Sequence, residues 1–237
     1  MSVNIEEIKE KLYTRLKPSG WADKLKTFIL SEDFDKIIQK LESDSVEGKR
    51  FVPQLKYLFS AFEDCPYDKL RIVLIGQDPY PYLNIPDGKA FSCSLTMKPQ
   101  KSLDYMLGEI KRTVYESDPE LFNPSPDLKR WSEQGVLLLN SALTVPVGKP
   151  GYHQIMWRPF MAFLLDILGW YNPGLIYMFM GNVAKNWAES IPDNNHKLYC
   201  THPAFAAHRD LSEWDSYDIF NKVNKILEKT NGEKIIW

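Results

Sequence analysis

The chain has 237 residues, of which 44% are hydrophobic, 13% aromatic and 25% charged; this excludes a disordered chain and allows a sizeable core. A formal net charge of −2 and a pI of about 6.1 exclude an overall basic footprint, so any DNA contact must be local and must neutralise few phosphates. Three cysteines, Cys65, Cys93 and Cys200, and four histidines, His153, His196, His202 and His208, show neither disulfide-framework nor metal-ligand spacing.

No apolar run approaches the ~20 residues of a membrane span, and the charged start MSVNIEEIKEKL has no signal core. A soluble intracellular protein is expected. Most of the Trp, Tyr and Phe side chains are expected in the core, with some rings left to face a ligand.

In chain order, the first part, to about residue 65, reads as helical. Phe34, Ile37, Ile38 and Leu41 recur at helical spacing behind Ser31, a candidate cap, and an acidic first turn. Pro53 is placed to open a helix carrying Leu55, Leu58, Phe59 and Phe62. The period then changes. Arg71-Ile-Val-Leu-Ile-Gly76, Val136-Leu-Leu-Leu-Asn140 and Leu175-Ile-Tyr-Met-Phe-Met-Gly181 are short apolar runs of the kind found in buried parallel strands. Lys197-Leu-Tyr-Cys-Thr201 is a weaker fourth. Between them lie helical patterns: one behind Ser102 as cap, with Leu103, Met106, Leu107, Ile110 and Val114; another from about Arg158 to Leu168; a third after Gly181; and a last from about Glu213 to Leu227. Strands alternating with helices predict a single α/β domain over 1–237, with a central four-stranded parallel sheet covered by helices on both faces.

Ligands of open parallel sheets bind outside the carboxyl ends of the strands, which places Asp78, Asn140, Asn182 and His202 around one cleft. Pro79 biases Asp78 away from the helical region, so its carboxylate is either a loop cap or a catalytic group. Asn140 ends an apolar strand, and its amide, both donor and acceptor, suits a nucleobase edge as well as a structural bond. His202 can be structural or functional; Phe91 by default is core; His208 and Arg209 fit either a DNA-facing rim or pairing with carboxylates.

Taken together, Gly76-Gln-Asp-Pro-Tyr80, Ala90-Phe91-Ser92, Gly135-Val-Leu-Leu-Leu-Asn140-Ser-Ala-Leu-Thr144 and His202-Pro…His208-Arg209 resemble the main uracil-DNA glycosylase family in wording and order. The eleven-residue step from Tyr80 to Phe91 also matches, and the likeness runs from Trp21 through Phe51-Val-Pro53, Trp131 and Trp157 to Lys234-Ile-Ile-Trp237. The resemblance implies an enzyme that flips uracil from DNA and hydrolyses its N-glycosidic bond without metal or cofactor. Asp78 would position water and stabilise the oxocarbenium-like sugar, with Gln77 beside it contributing backbone donors. His202 would donate to uracil O2, Asn140 would read N3–H and O4, Phe91 would stack on the base, and Tyr80 would exclude thymine's methyl group. Ser102 and Gly181-Asn182 match DNA-contacting positions.

This sequence departs from the family at two places. Pro81 stands where His is usual, and Ala204-Phe205-Ala206-Ala207 replaces Ser-Pro-Leu-Ser after His202-Pro203. Ala206 aligns with the leucine that fills the vacated base stack, and Phe205 is the neighbouring candidate wedge. The altered loop also fits a catalytically weak DNA-binding or scaffold module. Uracil-containing DNA, single- or double-stranded, and proteinaceous glycosylase inhibitors are the expected partners. Nothing in the sequence points to an obligate oligomer, so a monomer is expected, in the cytoplasm or in the nucleus of a eukaryotic source.

Overall fold

The computed structural model describes residues 4–230 and 232–237. Three helices open the chain: α1 (Ile5–Leu16), α2 (Ala22–Ile29) and α3 (Glu32–Val46). Ser31 caps α3 by accepting the Phe34 N–H at 3.3 Å, which satisfies one orphaned donor of the first turn. Glu32, Asp33 and Asp35 place negative charge at the positive end of the helix dipole. The apolar spacing buries Phe34, Ile37, Ile38 and Leu41, and one turn further it buries Asp44.

Pro53 does not open a helix. Gln54 is extended, with ψ 148°, so the chain passes from β1 (Phe51–Val52) into a single 3₁₀ turn, and only α4 (Ser60–Asp64) is helical. Leu58, Phe59 and Phe62 are buried all the same. Two short turns therefore present the apolar face that periodicity assigned to one helix.

The remaining elements are β2 (Ile72–Gly76), α5 (Lys101–Thr113), α6 (Lys129–Glu133), β3 (Val136–Asn140), β4 (Val145–Pro146), α7 (Gln154–Tyr171), β5 (Ile176–Met180), α8 (Asn182–Lys185), β6 (His196–Cys200), α9 (Ala204–His208) and α10 (Ile219–Thr230). The main sheet has the order β3-β2-β5-β6, all parallel. Alternate residues of each strand face opposite layers. Val73, Ile75, Leu137, Leu139, Tyr177 and Phe179 join the core formed with the N-terminal helices and α7. Ile72, Leu74, Val136, Leu138, Ile176 and Met178 join the core formed with α5 and α10. Both faces of the sheet are thus covered, as the continuous apolar runs predict.

Several boundaries differ from expectation. Ser102 does not cap α5: Gln100 is the extended residue before it, and Ser102 lies inside the first turn. α7 begins upstream of Arg158 and contains Pro159. That proline leaves the Ile155 carbonyl without its helical donor, at a residue 80% exposed, where water can serve. α10 starts only at Ile219 because Tyr217 and Asp218 adopt φ of +56° and +59°, which no α-helix can accommodate. The helix after Gly181 is one turn, 4 residues long. β1 and β4 form a separate antiparallel pair, too short to leave an alternating pattern.

Candidate active site

The site grows from the carboxyl ends of β2 and β3, where Gly76 and Asn140 are in register. Beyond that pair the ladder continues through loops. Ser141 donates to the Gly76 carbonyl from its backbone N–H at 3.0 Å and from its hydroxyl at 2.8 Å, and the Ala142 N–H donates to the Gln77 carbonyl at 3.0 Å. The turn carrying Asp78 is therefore tied to the strand carrying Asn140. Gly76 is required here: a Cβ would lie 2.8 Å from Asn140 Oδ1 and 3.4 Å from a Phe91 ring carbon.

Asn140 is buried yet lines a cavity of about 490 Å³. No side-chain hydrogen bond among the described residues engages its amide, whose atoms are not among the buried unpaired ones; they are open to the cavity, where both a donor and an acceptor are available to what enters.

Asp78 lines the same cavity. Its Oδ2 accepts the Gly151 N–H, while Gln154 Nε2 donates to the Gln77 carbonyl at 2.8 Å. Burial pushes the Asp78 carboxyl above the usual aspartate range, partly offset by the Gly151 N–H and the Gln77 side chain.

His202, after β6, has its Nδ1 held by the Ala204 N–H at 3.1 Å. A nitrogen that accepts a hydrogen bond carries no proton, so the proton of the neutral ring sits on Nε2. Burial, with the charge of His208, lowers the His202 pKa to about 4. The ring is thus neutral at physiological pH, with Nε2–H free to donate. Gly181, at φ +91°, backs the imidazole so closely that a Cβ would sit 2.8 Å from His202 Cβ.

Phe91 packs its ring 5.4 Å from that of His202, tilted by 39°. Its backbone is left-handed at φ +63°, a conformation costing about 1–3 kcal/mol in a non-glycine residue. Two bonds fix it in place: the Ala90 N–H donates to the Leu138 carbonyl at 3.0 Å, and the Tyr80 hydroxyl donates to the Phe91 carbonyl at 3.3 Å. Tyr80 therefore braces the aromatic floor as well as lining the cavity.

At the rim, Gln77, Ser102, Phe205 and His208 also line the cavity. Phe205 is 47% exposed, with the Arg209 guanidinium carbon 3.7 Å from its ring centroid. Ala206 is not a surface residue: it is fully buried in the layer formed with α5 and α10 and has no face to offer DNA. Gly181, Asn182 and Arg209 lie outside the cavity lining. Sequence reading missed Gly151, just before α7, and Gln154, the first residue of α7, which reach the 77–78 turn. No motif marks a backbone N–H donor. It also missed Lys89, buried at the cavity and ion-paired to Asp64 at 2.6 Å. Among the described residues no group of three or more His, Cys, Asp or Glu could hold a metal ion, and no helix is long and apolar enough to cross a membrane.

A doubly covered parallel sheet whose carboxyl ends bring a buried acid, an unengaged amide, an aromatic floor and a neutral imidazole around one cavity defines a nucleobase-handling α/β enzyme. Residues 62–228 match the uracil DNA glycosylase superfamily. The chain is similar to the uracil-DNA glycosylase of Acinetobacter baylyi, 30% identical over 98% of this chain and 97% of that one. It is 32% identical to that of Borrelia duttonii over 91% of this chain and 96% of the relative. The crystal structure of mimivirus uracil-DNA glycosylase, 24% identical, shares the fold with a TM-score of 0.80 over 99% of this chain and 89% of that one. A variant of mimivirus UNG solved in complex with UGI is 25% identical, with a TM-score of 0.79 over 92% of this chain and 87% of that one. The chain belongs to the uracil DNA glycosylase superfamily. It is a DNA-repair N-glycosyl hydrolase that excises uracil.

Proposed function

We propose that Asp78 and His202 carry the hydrolysis and that Asn140, Phe91 and Tyr80 select the base. The supporting observation is that these five side chains line one cavity, with His202 held as the tautomer that presents Nε2–H. Asp78 positions the attacking water, and its negative charge stabilises the sugar as the C1′–N1 bond breaks. His202 donates to uracil O2 as charge accumulates on the departing base. Both interactions strengthen toward the transition state, so they act on rate rather than on ground-state binding.

Asn140 pairs with N3–H and O4 through its amide oxygen and nitrogen, a pattern that cytosine does not offer. Phe91 stacks on the flipped ring. Tyr80 stands where a C5 methyl would fall. Gln77, Ser102, Gly181, Asn182, His208 and Arg209 engage the strand around the flipped nucleotide, largely through neutral donors, which suits a chain of net charge −2. Phe205, exposed at the cavity mouth, fills the gap left in the stack. The protein works as a monomer on uracil-containing DNA, and the same cleft face is the one a proteinaceous inhibitor would cover.

Single-turnover excision with measured DNA affinity tests the assignment. Asp78→Asn and His202→Ala are expected to slow uracil release by roughly 10²-fold or more, the scale of losing one preorganised electrostatic group, while DNA binding stays near wild type. A near-normal rate in either variant would remove that residue from the chemistry.

A further inference from the structure

Behind the site lies a buried polar chain that the hydrolysis itself does not use. Asp44 on α3 is 0% exposed and His153, just before α7, is 1% exposed. His153 Nε2 lies 3.1 Å from Asp44 Oδ2 and its Nδ1 2.9 Å from Thr144 Oγ1; the Trp157 Nε1–H donates to that same hydroxyl at 2.8 Å. Lys40 and Lys49 reach Asp44 Oδ1 at 2.6 and 3.3 Å. Burial raises the Asp44 pKa, but the Lys40, His153 and Lys49 donors outweigh it and keep the carboxyl ionised. Burial holds His153 below the usual imidazole range despite Asp44. A neutral ring beside a carboxylate must donate from Nε2, which leaves Nδ1 to accept the Thr144 hydroxyl proton. Every donor in the chain then has an acceptor.

The position of this chain gives it consequence. His153 is flanked by the two residues that touch the 77–78 turn: Gly151, whose N–H meets Asp78 Oδ2, and Gln154, whose amide meets the Gln77 carbonyl. Gly151 itself has φ +81° and nothing within 4 Å of where a Cβ would stand. On that side of Gly151, among the described residues, no packing beyond its chain neighbours holds the segment.

We infer that Asp44 and His153 are positioning residues for uracil excision, anchoring the 151–154 backbone so that Gly151 fixes one oxygen of Asp78 and leaves the other to the reacting centre. The inference rests on Asp78 acting in the chemical step. Without the anchor, the carboxylate loses its orientation, and a misplacement of about 1 Å costs on the order of 10²-fold in rate.

His153→Phe retains a ring of similar bulk and removes both hydrogen bonds; His153→Gln retains a donor toward Asp44. His153→Phe is expected to lower the single-turnover rate by roughly 10- to 100-fold, with unchanged affinity for DNA carrying a non-hydrolysable 2′-fluorinated deoxyuridine, and His153→Gln to restore most of the rate. In an Asp78→Asn background the His153→Phe loss is expected to vanish, because both act through one carboxylate. A full His153→Phe loss in that background, or rate and affinity falling together without rescue by Gln, would overturn the inference. A wild-type rate for Asp78→Asn alone would instead overturn the role of Asp78. Should His153→Phe not fold, Asp44→Asn, which keeps shape and volume, carries the same comparison: slowed excision at unchanged affinity supports the anchor, and a wild-type rate refutes it.

Discussion

At the scale of single residues, two ionisable groups sit in the same cavity with their protonation pushed in opposite senses. Burial raises Asp78, so it takes up a proton at a higher pH than an ordinary aspartate; burial lowers His202 to about 4, so it stays neutral well below the usual histidine range. The proposed mechanism requires Asp78 ionised and His202 neutral. The chemical rate at saturating DNA is therefore expected to show no inflection near pH 6.5, the ordinary imidazole value. It should fall at more acid pH as Asp78 gains its proton. A pH profile of single-turnover excision checks this, and a limb near 6.5 that disappears in His202→Ala would contradict it.

Base selection belongs to the same scale. Tyr80→Ala removes the ring proposed to exclude a C5 methyl and is expected to allow slow release of thymine; Asn140→Asp changes the donor and acceptor pattern and is expected to admit cytosine. Excision assays on oligonucleotides carrying each base measure both. Tyr80→Ala should also slow uracil release, because the Tyr80 hydroxyl braces the strained Phe91 backbone.

At the scale of elements, α9 carries the residue proposed to meet a duplex. Its turn points Phe205 outward and Ala206 inward, with Ala206 at 0% and Phe205 at 47% exposure. Flipping a base leaves a hole in the stack, and unstacking costs a few kcal/mol, less on a strand already single. An apolar ring offsets that cost by entering the gap, the role proposed for Phe205, over whose ring the Arg209 guanidinium lies. Phe205→Ala is expected to reduce excision from duplex DNA several-fold more than from single strands. Equal losses on the two substrates would rule out the wedge.

The whole molecule supports this geometry by packing. Phe160 of α7 is fully buried, with ring centroids of Phe28, Phe59, Phe62 and Trp157 at 5.1 to 5.9 Å. That cluster joins α2, the 55–64 turns and α7 beneath the sheet, so Phe160→Ala is expected to cost about 3–5 kcal/mol, read as a lowered denaturant midpoint at unchanged slope. The ends of β2 and β3 are tied by backbone bonds and the 77–78 turn is tied to Gly151 and Gln154 by side-chain bonds, so the folded fraction of this variant should retain near-normal base preference.

What the sequence determined by itself is the set of features written in local pattern. Three apolar runs define the strands buried on both faces, which must be apolar throughout, while the edge strand His196–Cys200, largely uncovered, carries only a weaker pattern. Their punctuation brings Asp78, Asn140 and His202 to one edge because every strand of a parallel sheet ends on the same side. Tertiary structure alone decided the rest. Gly151 acts through its backbone N–H, which has no residue signature. Gln54, after Pro53, is extended rather than helical, and the residues preceding Pro53 pair with a strand far along the chain. Tyr217 and Asp218 adopt left-handed backbone and delay α10, while Asp44 meets His153 across 109 positions. The orientation of α9, outward at Phe205 and inward at Ala206, depends on the packing of that turn against the sheet layer. Local pattern records which side chains a segment carries; contacts between distant segments fix where each one points.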